Sequence, residues 1–173
     1  MEPFLGTQVT IEQIRRVVTG YSADGESVIA SDTRVAGSVG PRTFEFHRLW
    51  GADVMPACPN DGSLTLPDDF SWFPPPGGFR FARFLLPPNP TLTTALIDQS
   101  VDGMHKSQTV DLLYIESGQC YCKLGDGSKV KLTTGDTLVQ NGTEHAWFNP
   151  FDEPCKIMVV AFGILEEPAK FTC

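Results

Sequence analysis

Proline and glycine interrupt this chain so often that almost no window is left in which a helix of ordinary length could form. There are fourteen prolines and sixteen glycines in 173 residues. Proline removes a backbone donor and clashes with the preceding turn of a helix, while glycine loses more conformational freedom on folding than any other residue. Between these interruptions lie short apolar runs that alternate with polar residues, which is the period of a half-buried strand. The pattern predicts an all-β chain.

The first clear unit is RRVVTGYSADGESVIASD, where Asp24-Gly25 reads as a hairpin turn between strands over 14–21 and 27–31. Further strands are expected over 43–50 and 79–86. The stretch VMPACPNDGSLTLPDDFSWFPPPGG between them carries too much proline for regular structure and is expected to wrap the surface as an ordered arm. The second half reads as strands over 111–116, 119–124, 129–132, 137–140, 145–149 and 156–162. They are separated by Gly118, Asp126-Gly127, Gly135-Asp136 and Asn141-Gly142, residues that accept positive φ cheaply. Six such strands would leave adhesive edges unless they closed into a barrel or a two-sheet roll with the N-terminal strands. The expected organisation is one structural domain, with residues 1–90 forming N-terminal strands and an arm packed on a barrel core of residues 91–173.

Size and charge narrow the function classes. A chain of 173 residues fits one domain and buries roughly 70% of its unfolded surface. Thirteen Lys and Arg against twenty-one Asp and Glu give a net charge of -8, which repels a phosphate backbone, so no nucleic acid is expected as a partner. No apolar run reaches the ~18 residues that span a bilayer, and the N-terminus lacks the features of a signal peptide. The expectation is a cytoplasmic protein with no membrane partner. Its five cysteines, Cys58, Cys120, Cys122, Cys155 and Cys173, are odd in number and lack metal-knuckle spacing, which suits reduced thiols. Cys120 and Cys122 share a strand face, where a one-residue gap favours packing over a disulfide.

Two segments carry a resemblance. GMHKSQTVDLLYIESG, residues 103–118, and GDTLVQNGTEHAWFN, residues 135–149, are similar to the two motifs of the cupin superfamily, with Gly135, Asp136, Gly142, His145 and Asn149 at the spacing of small single-domain cupins. The lead-in RRVVTGYSADGESVIASD, Trp50 and the PPPGG segment resemble the N-terminal arm of that branch. The resemblance implies a single cupin jelly-roll barrel with an N-terminal β-strand and a proline-rich arm. Cupins usually hold a divalent metal with two His and one Glu from the first motif and one His from the second. Here those positions fall on His105, Ser107, Asp111 and His145. What remains is two His and one Asp, the count of a facial triad for Zn, Fe or Mn, with a carboxylate one methylene shorter than Glu. Members of the branch also lack the second His, so the resemblance leaves open one divalent metal or none.

Strand alternation gives an independent reading. Asp111, Leu113 and Ile115 share one face of their strand, and His145, Trp147 and Asn149 share one face of theirs. With His105 and His145 turned inward, two imidazoles and a carboxylate would meet in an apolar cavity and act as acid and base without a metal. His105, His145 and Asp111 are therefore the candidate catalytic residues, and equally the candidate metal ligands. Candidate substrate contacts are Trp147 as an aromatic wall, Ser107 at the vacated ligand position, Gln140 and Asn149, the last of which alternatively serves the barrel's own backbone. Tyr114 and Tyr121 read as packing residues, and His47 as a surface or interface histidine.

Three functions follow. The first is an enzyme acting on a small oxygenated molecule by non-oxidative acid–base or Lewis-acid chemistry: decarboxylation, dehydration, isomerisation or ring closure of an aromatic or polyketide-like intermediate, the substrate class being what the resemblance implies. The second is a mononuclear iron dioxygenase, and the third a non-catalytic ligand-binding protein. The resemblance also implies a homodimer through the N-terminal strand and arm.

Overall fold

The structure, a computed structural model, describes residues 12–40, 44–63 and 71–165. Eleven strands and one short helix follow in the order β1 (Gln13–Tyr21), β2 (Ser27–Ala36), β3 (Ser38–Val39), β4 (Glu45–Ala52), β5 (Phe79–Leu86), α1 (Thr94–Gln99), β6 (Thr109–Ser117), β7 (Gln119–Leu124), β8 (Lys129–Thr133), β9 (Thr137–Asn141), β10 (His145–Phe148) and β11 (Cys155–Gly163). The all-β expectation holds, and the position of nearly every strand follows the alternation in the sequence. β3 and α1 were not anticipated, and residue 43 of the expected third strand lies outside the described residues.

The strands form an antiparallel hairpin β1–β2, a three-stranded sheet β10-β7-β8 and a six-stranded sheet β3-β4-β5-β11-β6-β9. Within the single domain expected, a cut at residue 90 meets a sheet that runs across it. β11 pairs with β5 on one side and β6 on the other, with Ile157 opposite both Phe84 and Ile115. The cut would pass through one sheet, so β4 and β5 are walls of the roll and not an appendage packed on it.

The two larger sheets face one another. Along β6, Thr109, Asp111, Leu113 and Ile115 are buried while Leu112 and Tyr114 are exposed, as strand alternation requires. Leu86, Leu113, Ile115 and Ile157 meet Cys120, Cys122 and Leu132 from the opposite sheet in one buried cluster. Each aliphatic side chain buried there contributes roughly 1.5–3 kcal/mol. The three cysteines of the cluster are free and buried: burial pushes the Cys122 thiol up to about 11, and a hydrogen bond between Cys120 and Cys155 raises the thiol of Cys120 and lowers that of Cys155.

Gly118 shows why the β6–β7 turn is so tight. Its φ is +79°, and a Cβ there would lie 2.3 Å from the Pro154 carbonyl oxygen, so no other residue fits. One end of the roll is closed by α1. Thr93 caps its N-terminus, and the buried Lys123 donates from Nζ to the carbonyls of Ile97, Asp98 and Ser100 at 2.7–2.9 Å, satisfying orphan acceptors at its C-terminus. Ile97 then packs on Ala146 and Phe148 beside β10.

The β1–β2 hairpin is tied to the outer face of the large sheet. The Glu12 carboxylate accepts from Arg83 at 2.8 Å and from Lys156 at 3.0 Å, and Arg83 above all holds it down at about 2. His47 donates from Nε2 to the Glu12 carbonyl and is fully buried, which corrects its reading as a surface residue. No helix among the described residues is long and apolar enough to cross a membrane.

Candidate active site

A cavity of about 460 Å³ opens between the sheets. His145 enters it from β10. His105 comes from the connection ahead of β6, where an isolated bridge pairs it with His145 through reciprocal backbone bonds of 2.8 and 2.9 Å. This bridge brings the two cupin-like motifs together and sets the imidazole centroids 4.5 Å apart, tilted by 50°.

The backbone orients both rings. Nδ1 of His105 lies 2.8 Å from the carbonyl of Gly103, an acceptor only, so Nδ1 carries the proton and donates it there, which leaves Nε2 as the basic nitrogen of that ring. Nδ1 of His145 meets two groups of opposite character, the carbonyl of Thr143 at 2.8 Å and the Nε2 donor of Gln140 at 2.7 Å, so these contacts hold the ring in place and do not by themselves set its tautomer. Gln140 also donates from Nε2 to the Thr143 carbonyl at 2.9 Å and so braces the corner.

Gly142 makes the His145 corner possible. Its φ is +62°, and a Cβ would lie 2.8 Å from the Ser107 carbonyl oxygen, so the turn that delivers Thr143 needs glycine. Asp111 lies on the inner face of β6, buried, with Oδ1 lacking any hydrogen-bond partner. Burial pushes its carboxyl above the usual range, against the opposing pull of a hydrogen bond from Thr109 and the nearby His105. Burial likewise pulls His145 below the usual imidazole value, offset in part by its bond to Thr143. The two shifts bring a carboxyl and an imidazole closer in proton affinity than either type is in water, which suits proton transfer.

The sequence-predicted residues are distributed as follows. His105, Asp111, Gln140, His145 and Trp147 all line the cavity. Trp147 stands edge-on to His145, with centroids 6.0 Å apart. Ser107 is placed away from the cavity, and Asn149 takes the second of its two expected roles. The Ser107 hydroxyl pairs with that of Thr109 at 2.7 Å instead of lining the cavity. Asn149 is buried behind β10, where it donates to the carbonyls of Leu86 and Glu153 and accepts from Phe151 N, so it serves the fold's own backbone.

Sequence reading missed the opposite wall. Phe44, Phe46 and Arg48 reach the cavity from β4 and the residue before it, and Trp72 and Phe73 reach it from the proline-rich segment. Trp72 lies on Phe46 at 4.3 Å, and the Arg48 guanidinium lies over the Trp72 ring at 4.1 Å. The alternation of Phe44, Phe46 and Arg48 was the available signal. The strand expected over 43–50 was read without asking which of its faces looks into the barrel. The segment expected to wrap the surface instead turns two aromatic side chains over the cavity, and Arg80 ties it down by donating to the carbonyls of Ser71 and Ala52.

A metal would draw on Nε2 of both histidines and on the Asp111 carboxylate. Among the described residues no three His, Cys, Asp or Glu side chains are grouped to hold one. Asp111 is engaged by Thr109 and its carboxyl is desolvated by burial, so the three residues do not fit a metal as a preformed set. No step below passes through one.

The comparisons with known proteins agree with the motifs that frame this site. Residues 98–161 match the family model described as a cupin domain. Those residues form a cupin domain. Among solved structures, this cupin is similar to a Cupin 2 conserved barrel domain protein from Salinispora arenicola, at 16% identity and a TM-score of 0.45 over 73% of this chain and 80% of that one. It is similar to the polyketide cyclase RemF from Streptomyces resistomycificus, at 16% identity and a TM-score of 0.48 over 73% and 72%. A predicted oxalate decarboxylase from Thermotoga maritima matches at 24% identity and a TM-score of 0.38 over 49% and 66%. No curated protein matches the sequence.

Proposed function

We propose that this cupin is an enzyme that moves protons on a small oxygenated molecule held in its cavity, in a non-oxidative reaction such as decarboxylation, dehydration, isomerisation or ring closure. The observation that carries this reading is the pair of imidazoles 4.5 Å apart beside a desolvated carboxyl, with Nδ1–H of His105 donated to a backbone carbonyl and its Nε2 left basic. His105 is the base that accepts a proton at Nε2 from substrate, and the imidazolium so formed returns that proton to the developing product. Asp111 and His145, the latter made less basic by burial, line the cavity beside it and orient the substrate. General acid–base catalysis of this kind supplies about 10²–10⁴-fold.

The test uses an enolisable aromatic ketone, 2-tetralone, in D2O, with deuterium uptake followed by mass spectrometry. Uptake is expected well above that of free imidazole at equal concentration, falling at least 100-fold in His145→Gln and in His105→Gln. Uptake no faster than imidazole would overturn the reading and favour a ligand-binding role. Oxygen consumption dependent on added Fe(II) would favour the dioxygenase, which needs Asp111 and both imidazoles on one ion.

We also propose that the molecule is a homodimer through the outer face of the large sheet. Leu112, Tyr114 and Val139 are 46%, 46% and 55% exposed there, and Leu112 stands opposite both Val139 and Val160 in the ladders. A contiguous apolar strip on a sheet face is what pairing covers. Light scattering at micromolar concentration is expected to give twice the chain mass, and Leu112→Glu to give the chain mass. A monomeric parent protein would refute it.

A further inference from the structure

We infer that the end of the cavity lined by His105, Asp111 and His145 selects a flat aromatic molecule in its hydroxyl form, a phenol or an enol, with Asp111 as the residue that accepts the hydroxyl hydrogen. The inference rests on the proposed function for the identity of the site, and names the class of molecule that the site takes.

A carboxylate taken out of water is costly unless donors reach its oxygens. Asp111 is 9% exposed and lines the cavity from the inner face of β6, yet its Oδ1 has no hydrogen-bond partner. The ladders on either side do not supply one. Asp111 stands opposite Gln140 on β9 and Ala161 on β11. Gln140 turns its Nε2 to the Thr143 carbonyl and the His145 ring, and alanine has no donor in its side chain. His105 spends its Nδ1–H on the Gly103 carbonyl. The donor for Oδ1 therefore comes from the molecule that fills the cavity.

The neighbouring groups decide which donor fits. The basic Nε2 of His105 is a second acceptor at this end, so a ligand carbonyl or carboxylate placed here meets acceptors, whereas a hydroxyl meets partners. An ammonium group would answer the carboxylate as well, but it would share a low-dielectric cavity with the guanidinium groups of Arg48 and Arg80, which line it too. A neutral hydroxyl meets no such repulsion, and its bond to an ionised oxygen is of the stronger, charge-assisted kind. The walls beyond are aromatic, with Phe84 edge-on to Trp147 at 6.1 Å and Phe46 on Trp72 at 4.3 Å. Flat rings match them better than a flexible chain, which loses rotamer freedom on entry. An enol joins this class to the proposed chemistry. When His105 moves a proton from the carbon beside a ketone to the ketone oxygen, a C–H bond breaks, an O–H bond forms and the composition is unchanged. The new O–H is the donor that Oδ1 lacks.

The experiment is equilibrium dialysis at pH 7, after treatment of the protein with EDTA, with three probes: 2-naphthol, its methyl ether 2-methoxynaphthalene, which keeps the rings and loses the donor, and the 2-naphthylmethylammonium ion. The parent protein is expected to bind naphthol at least 10-fold tighter than either of the others. In Asp111→Leu the preference for naphthol over the ether is expected to shrink to within 2-fold. Asp111→Asn keeps the shape and an uncharged acceptor, guards against misfolding of the leucine variant, and is expected to retain a preference of 2- to 5-fold. Equal binding of naphthol and its ether by the parent protein overturns the proposal, as does an unchanged preference in either variant or an ammonium ion bound as tightly as naphthol. A preference that appears only when Zn(II) is added back also overturns it, since the metal would then be the partner of the hydroxyl. If naphthol binds as expected but no deuterium enters 2-tetralone, the catalytic reading fails while this one stands.

Discussion

The two ends of the cavity are held by different forces. At the histidine end each ring is pinned by a carbonyl two residues away in the chain, Gly103 for His105 and Thr143 for His145, and a backbone bridge joins the two segments. At the arginine end the contacts are between side chains distant in sequence: Arg48 on Trp72, Trp72 on Phe46, and Phe73 near His105 at 6.4 Å. Backbone pinning fixes direction as well as position, which proton transfer needs. Stacking fixes a plane and leaves sliding room within it, which suits recognition of a flat ligand. The comparison predicts that damage at one end alters turnover, and damage at the other alters binding.

Gly142→Ala is the strongest way to break the histidine end without touching a histidine. The left-handed backbone costs an alanine about 1–2 kcal/mol. The new Cβ also meets the Ser107 carbonyl oxygen at 2.8 Å, so the turn must shift and the Thr143 carbonyl with it. A misplacement near 1 Å costs up to about 100-fold in rate. Deuterium uptake into 2-tetralone at saturation is expected to fall 10- to 100-fold, with its KM kept within 3-fold. Unchanged uptake would mean that the carbonyl does not orient His145.

The same contrast explains what was legible in the sequence. His105, Asp111, Gln140, His145 and Trp147 were readable because their placement follows from short motifs and strand alternation. Ser107 was misplaced for want of its partner, since the Thr109 hydroxyl cannot be inferred from spacing, while Asn149 bonds to the carbonyls of Leu86 and Glu153 in the backbone role that its motif offered as an alternative. The arginine end was invisible because it depends on a sheet order in which β5 pairs with β11, a contact between halves that local periodicity does not encode. α1 escaped notice because its six residues owe their shape to Thr93 and to a lysine reaching across from β7.

Trp72→Leu sharpens the comparison from the other end. The indole is 38% exposed, so its loss leaves the core untouched, but Arg48 loses its cushion. Cation–π and aromatic contacts of this kind are worth about 0.5–1.5 kcal/mol, or roughly 2- to 12-fold in affinity. The KM for 2-tetralone is expected to rise about 5-fold, while the maximal rate of deuterium uptake stays within 2-fold of the parent. A loss of rate at saturation would show that Trp72 also shapes the reacting end.

Asp111→Asn is the smallest effect and tests whether the histidine end carries a stability cost for its chemistry. Burial raises the Asp111 carboxyl above the ordinary 3.8, so between that value and the folded one the native state keeps a proton that the unfolded chain has released. Stability therefore falls as pH rises through this window and stays lower above it. The asparagine side chain has no charge to desolvate and can still accept from Thr109. The variant is expected to be about 1 kcal/mol more stable than the parent at pH 7, as stabilising changes at active-site positions commonly are, and equal to it at pH 3, where the aspartic acid is protonated in both states. His145 resists protonation in the fold, so it lowers stability as pH drops below its ordinary 6.5, but it does so in both proteins and cancels from the difference. Thermal unfolding at the two pH values measures the gap. A variant less stable than the parent at pH 7 would mean that the ionised carboxylate is favoured by its surroundings, and that His105 is its counter-ion in the resting protein.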